Sequence, residues 1–135
     1  MLNKMTSKHR GGFTLVEIMI VVAINALLAA IAVPGFLRAR KRSQASKILN
    51  DLRMIDAAVD QYAIETSKVT GSSVDKDDWI KYVKKDTNLY ATGADLFGNA
   101  YAAQKVDTLP KAPLATYNAL SDVTDDAFWS PYGHE

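Results

Sequence analysis

Residues 13–37 are almost wholly apolar, and no other stretch of this 135-residue chain constrains its fold as strongly. At about 1.5 Å per residue, a helix of that length reaches about 37 Å. A bilayer core needs roughly 20 apolar residues. The run is therefore long enough to cross a membrane, and longer than a buried helix of a small soluble domain requires. Hydrophobic residues make up 48% of the chain, but outside this run the sequence reads as an ordinary soluble domain. The total length suits one domain plus one added element.

Charge brackets the run. Lys4, Lys8 and Arg10 precede it, and no acidic residue occurs before Glu17. Arg38, Arg40, Lys41 and Arg42 follow it. Both flanks are basic, so the positive-inside rule alone does not decide the orientation. Net charge is only +1, which gives no general support to nucleic-acid binding. Cysteine is absent, so neither disulfides nor thiolate metal sites are available. A secretory signal is cleaved after its apolar run. Ala29, Ala30 and Ala32 offer a weak site of that kind, with a mature start near Val33. A better junction, Gly11-Gly12-Phe13, lies before the run.

That junction carries a specific pattern. Gly12-Phe13-Thr14-Leu15-Val16-Glu17 resembles the cleavage and methylation motif of type IV prepilins and type II secretion pseudopilins. The resemblance covers about residues 10–42. It implies a leader of residues 1–12, cut between Gly12 and Phe13 by prepilin peptidase, with methylation of the new N-terminus. It also implies a single-pass inner-membrane anchor with the C-terminal domain outside the cytoplasm. Inner-membrane assembly machinery would then draw subunits from lipid into a homo-oligomeric helical filament, periplasmic or extracellular, with minor pilins as possible companions.

Physical chemistry supports a special role for Glu17. A carboxylate at the centre of a membrane helix costs about 2.5–3.5 kcal/mol on insertion scales. Cleavage after Gly12 creates an amine on Phe13, four residues away on the same helix face. Between helices, the Glu17 carboxylate of one subunit can neutralise the Phe13 amine of the next, and the resemblance implies that this pairing sets register during assembly. The plain alternative is a shallow Glu17 that snorkels to the headgroups. The resemblance also implies a body subunit rather than a tip subunit, since tip-type minor pseudopilins can lack the residue matching Glu17.

Two further positions in the run stand out. Pro34 removes a backbone donor and Gly35 adds flexibility, which together predict a kink or loosened stretch. Asn25 stands where an aliphatic residue is usual in the family, and suits either a hydrogen bond to a neighbouring helix or simple tolerance.

From Ala45 the pattern turns amphipathic. Ala45, Ile48, Leu52, Ile55, Val59 and Tyr62 recur at helical spacing, with Lys47, Asp51, Arg53, Asp56 and Asp60 on other faces. The spacing predicts one helix from Phe13 to about Glu65, with residues 13–37 as membrane or filament-core helix and 38–66 as its amphipathic continuation. A soluble coiled coil is disfavoured, because fewer than three clean heptads are present.

Residues 67–135 read as a C-terminal globular domain. A short helix is expected after Ser73 as N-cap, and strands over 100–106 and 116–120. The fold class expected is α+β and pilin-like, with a long N-terminal helix packed on a short helix and a small antiparallel sheet. Asp95-Leu96-Phe97-Gly98-Asn99-Ala100-Tyr101 resembles the Asp-Pro-Trp-Gly-Asn-Pro-Tyr signature of major pseudopilins, with both prolines replaced and Phe for Trp. Physically it is a tight turn flanked by aromatics. Major pseudopilins also carry a calcium-binding C-terminal loop. The resemblance implies Asp122, Asp125 and Asp126 as possible calcium ligands, with backbone carbonyls completing the shell and Trp129 as anchor. The loop here is shorter and lacks the family's glycines, so a solvated acidic turn is the other reading.

An enzyme is not expected. The chain has no glycine-rich phosphate loop and no zinc pattern, and its two histidines, His9 and His134, lie near its ends. The expected function is a structural subunit of a type IV pilus-like or type II secretion pseudopilus filament. The rivals are a single-pass anchored binding module that never polymerises and a secreted soluble domain.

Overall fold

The computed structural model describes residues 14–135. Two compact units are present, one ending at Leu37 and the other formed by Arg38–Glu135. The first consists of the apolar part of helix α1, which spans Leu15–Thr66. The second combines the remainder of α1 with strand β1 (Ser73–Val74), helix α2 (Lys76–Trp79), a 3-10 turn (Ile80–Tyr82) and helix α3 (Asn88–Thr92). Strand β2 (Gln104–Lys105) and helices α4 (Leu114–Ala119) and α5 (Asp126–Trp129) complete it. This is the expected α+β, pilin-like class: a long N-terminal helix, short helices and a small antiparallel sheet.

The amphipathic stripe of α1 organises the second unit. Ala45, Ile48, Leu52 and Ile55 are fully buried and Val59 nearly so, while Tyr62 is half-buried against the same core. Ala58 and Ala63 widen the stripe. Opposite it pack Val74, Trp79, Leu89, Val106, Leu120 and Trp129. The two tryptophans are the largest side chains in this core. Each fully buried aliphatic side chain contributes about 1.5–3 kcal/mol relative to exposure, so this stripe is what holds the unit on its helix.

Helix α1 ends in a Schellman-type cap. The Lys68 N–H donates to the Ala63 carbonyl at 3.0 Å, and Ser67 takes the left-handed conformation at φ 55°. The chain then returns as β1, which pairs antiparallel with β2 in the register Ser73 to Lys105 and Val74 to Gln104. Bonds from Gly71 N to Val106 O and from Val106 N to Ser72 O prolong the pairing.

Three local expectations are corrected. Ser73 lies in β1, and the N-cap of α2 is Asp75, locked by a capping box with Asp78. Asp75 has the extended backbone that a cap requires, and Asp78 stands three residues on to return the bond. Within 100–106 only Gln104–Lys105 forms a strand, because β1 offers just two residues to pair with. Residues 116–119, expected as strand, fall in helix α4, which starts directly after Pro113 and contains two alanines. There the strand preference of Thr116 and Tyr117 is overridden by tertiary placement: Thr116 is fully buried against Asp95.

Candidate assembly site and C-terminal loop

In the first unit the apolar face goes all the way round. Leu15, Ile18, Val22, Leu28, Ile31 and Phe36 are all exposed, as is every other large apolar side chain of residues 15–37. None of this apolar window is buried within the chain. Such a surface needs lipid or other apolar helices as its solvent.

The start of α1 has its own geometry. The Thr14 hydroxyl oxygen accepts from Glu17 N at 3.2 Å, and Glu17 Oε2 accepts from Thr14 N at 3.1 Å. This is a reciprocal capping box that satisfies two orphan donors of the first turn. A negative charge there also suits the positive end of the helix dipole. Glu17 is thus held by the backbone N–H and hydroxyl of Thr14, although its side chain remains exposed. A carboxylate accepts about four hydrogen bonds, so this cap leaves capacity for another donor. Thr14 was not singled out from sequence, though Thr-x-x-Glu before an apolar run is a legible capping signal.

Gly12 and Phe13, the processing pair, lie outside the described residues. Pro34 sits inside α1, whose helical course continues through it. A Cβ placed on Gly35 would meet nothing within 4 Å, so packing inside this chain does not demand glycine there. Asn25 is exposed.

The pseudopilin-like turn is built on polar atoms more than on aromatics. Asp95 is 2% exposed. Its Oδ1 accepts from Phe97 N at 2.9 Å and Asn99 N at 3.0 Å, and its Oδ2 accepts from the Thr116 hydroxyl. Asn99 Nδ2 donates to Thr116 Oγ1 at 2.8 Å. Gly98 closes the turn at φ 80°, donating to Asp95 O at 3.1 Å. Phe97 remains 41% exposed, whereas Tyr101 is buried and donates its hydroxyl to Asp51 of α1 at 3.0 Å. Burial pushes the Asp51 carboxyl above its ordinary pKa, with the Asp95 charge adding to the rise and the Tyr101 hydrogen bond opposing it. Burial and the Asp51 charge likewise push the Tyr101 hydroxyl upward.

The three C-terminal aspartates, the possible calcium ligands, each have a separate partner. Asp122 Oδ2 pairs with Lys41 Nζ at 2.9 Å. Asp125 Oδ1 caps α5 by accepting from Phe128 N at 2.8 Å. Asp126 Oδ1 accepts from the Tyr117 hydroxyl at 2.7 Å and lies 3.8 Å from His134 Nε2. Among the described residues no three His, Asp or Glu side chains gather as a metal-holding group. Each carboxylate has its own donor on a different element. Trp129 does anchor the loop: it is fully buried, and its indole N–H donates to Thr124 Oγ1 at 3.2 Å.

A helix exposed in its apolar half and amphipathic in its second half, carrying a small α+β head, defines a pilin-like class. Comparison with known proteins places the chain within it. The family model for the prokaryotic N-terminal methylation motif matches residues 7–33. Type II secretion system core protein G of Pseudomonas aeruginosa is 30% identical over 132 residues, covering 87% of this chain and 88% of that protein. The type IV major fimbrial protein FimA of Dichelobacter nodosus is 39% identical over 92 residues, covering 68% and 54% respectively. A fimbrial protein of P. aeruginosa is 36% identical over 70 residues, covering 52% and 46%. The chain spans about half the length of these fimbrial relatives. No solved structure matches it. The chain belongs to the type IV pilin and type II secretion pseudopilin family.

Proposed function

We propose that this chain is a structural body subunit of a type IV pilus-like or secretion-pseudopilus filament. The observation that carries the reading is the fully exposed apolar helix of residues 15–37, with one acidic residue, Glu17, at its start. In the membrane, lipid covers that helix. In the filament, neighbouring helices replace lipid at similar apolar contact, so transfer between the two needs no refolding.

Prepilin peptidase cuts after Gly12 and Phe13 becomes the N-methylated terminus. The Thr14–Glu17 capping box offsets part of the cost of the carboxylate while the subunit is alone in lipid. On assembly, the Phe13 amine of a neighbour supplies the countercharge, which fixes axial register. Pro34, which leaves one backbone carbonyl without its helical donor, and Gly35 let this continuous helix loosen on assembly, so that helices pack at different rises. The head, residues 67–135 with the amphipathic part of α1, lies outside the cytoplasm and covers the filament surface. The role is structural, without a catalytic step.

Mass spectrometry of the native N-terminus tests this reading. It predicts a chain starting at N-methylated Phe13. A start at Met1 leaves an unprocessed anchor and a start near Val33 a secreted domain, and either result overturns the filament proposal.

A further inference from the structure

We propose that the C-terminal loop of residues 121–129 is closed by an intramolecular cation, the Lys41 ammonium of α1, and that it takes up no calcium. The donor set is the reason. Calcium takes six to eight oxygens at about 2.3–2.6 Å, several of them from carboxylates that share one shell. Here the carboxylates are divided. Asp122 and Asp125 line one cleft of about 250 Å³, together with Arg42, Thr124 and Phe128. Asp126 is engaged elsewhere, with the Tyr117 hydroxyl and His134.

Within that cleft the positive charge is already supplied. Arg42 lines the cleft, and Lys41 Nζ sits 2.9 Å from Oδ2 of Asp122, one of its lining carboxylates. The Lys41 hydrogen bond, with added help from the Lys41 and Arg38 charges, holds the Asp122 carboxyl below its ordinary range. A divalent ion would have to displace the ammonium and then sit beside a guanidinium, against like charge.

Two backbone oxygens that flank the cleft carboxylates are already engaged. Leu120 O accepts from Val123 N, Thr124 N and the Thr124 hydroxyl, and Asp125 O accepts from Phe128 N. The loop also has a closure of its own. Trp129 is buried beneath it, the Tyr117 ring stacks on His134 with centroids 3.7 Å apart, and His134 lies in a parallel bridge with Ala112. Nothing in this arrangement needs a metal to bring the chain end home. The basic run Arg38, Arg40, Lys41 and Arg42 then acts as the clasp for the loop as well as a membrane flank.

The test uses the full chain in detergent micelles. Calcium chloride is titrated calorimetrically up to about 5 mM, above the weak range of extracellular calcium modules. Thermal unfolding by tryptophan fluorescence is compared in calcium, and in EGTA with magnesium at matched ionic strength. The expected result is no saturable binding and the same Tm in both. Limited proteolysis within residues 121–129 should be about twofold to fivefold faster in Lys41→Gln and in Asp122→Asn, as for an exposed ion pair, with the double variant no worse than either single. High salt should act on the native chain as these substitutions do. Saturable calcium binding, or a Tm raised by several degrees in calcium, overturns the proposal. So do single-variant effects that add in the double variant, because the clasp would then not exist.

Discussion

The Tyr101 hydroxyl donates to Asp51 Oδ2 at 3.0 Å, and this bond ties the turn of residues 95–101 to the long helix. Asp51 is half-buried and its pKa is raised above 3.8. A carboxyl with a raised folded-state pKa holds its proton more tightly when folded than when unfolded. Its contribution to stability is full below the unfolded value and is lost as pH rises through the folded value. Asp51→Asn keeps an acceptor for Tyr101 and removes the charge, so it should flatten the fall in stability above about pH 4 and leave Tm at pH 7 equal or higher. Tyr101→Phe should steepen that fall, because the carboxylate then loses the one hydrogen bond that favours its charged form. Thermal unfolding between pH 3 and pH 8 reads both; an Asp51→Asn protein that loses more Tm at pH 7 than at pH 4 contradicts the argument.

Asp95 satisfies two backbone N–H groups and the Thr116 hydroxyl from a buried position. Asp95→Ala strands all three, and the expected cost is about 3 kcal/mol or more. Asp95→Asn should lose about half as much. It keeps Oδ1 for the turn, and the Thr116 hydroxyl can rotate to accept. Urea unfolding of the two variants measures the difference, and equal losses would mean that the turn itself does not depend on the Oδ1 bonds.

Ser67 ends α1 in the left-handed region at φ 55°, where an L side chain carries a penalty of about 1–2 kcal/mol. Ser67→Gly should therefore stabilise the head by about 1 kcal/mol, offset in part by the greater freedom of glycine in the unfolded chain. A rise in Tm of a few degrees is the sign to look for; no change would mean that the Ser67 side chain compensates its own strain.

Thr14 caps the helix that carries Glu17. Thr14→Ala should weaken the first turn by about 1 kcal/mol, seen as roughly fivefold faster amide exchange at Glu17. Thr14→Ser should restore protection. On the filament reading, Thr14→Ala leaves processing at Gly12 intact and slows assembly, since Glu17 then samples more orientations; unchanged assembly kinetics would separate the cap from register setting.

Much of this was legible because the signals are local. The buried stripe from Ala45 to Val59 follows directly from three- and four-residue spacing, and the exposed apolar run follows from length. The Thr14–Glu17 box is equally local, but it is masked by the apolar residues around it. The Asp95 cluster was not legible. Thr116 reaches Asp95, and Asp51 reaches Tyr101, only through the packing of α4 and α1, and the intrinsic preference of Thr116 points to strand. The partners of the C-terminal aspartates were illegible for the same cause. Three aspartates close in sequence suggest a shared ligand, while the ammonium that answers one of them stands 81 residues away. Sequence proximity measures neither the direction of a side chain nor what already fills the space before it.

The buried stripe begins at Ala45, and among the described residues no core residue precedes it. Folding and polymerisation therefore draw on different residues of the same helix. On the filament reading, a subunit leaves the bilayer for the filament with its head already folded, so the membrane works as a store of finished parts.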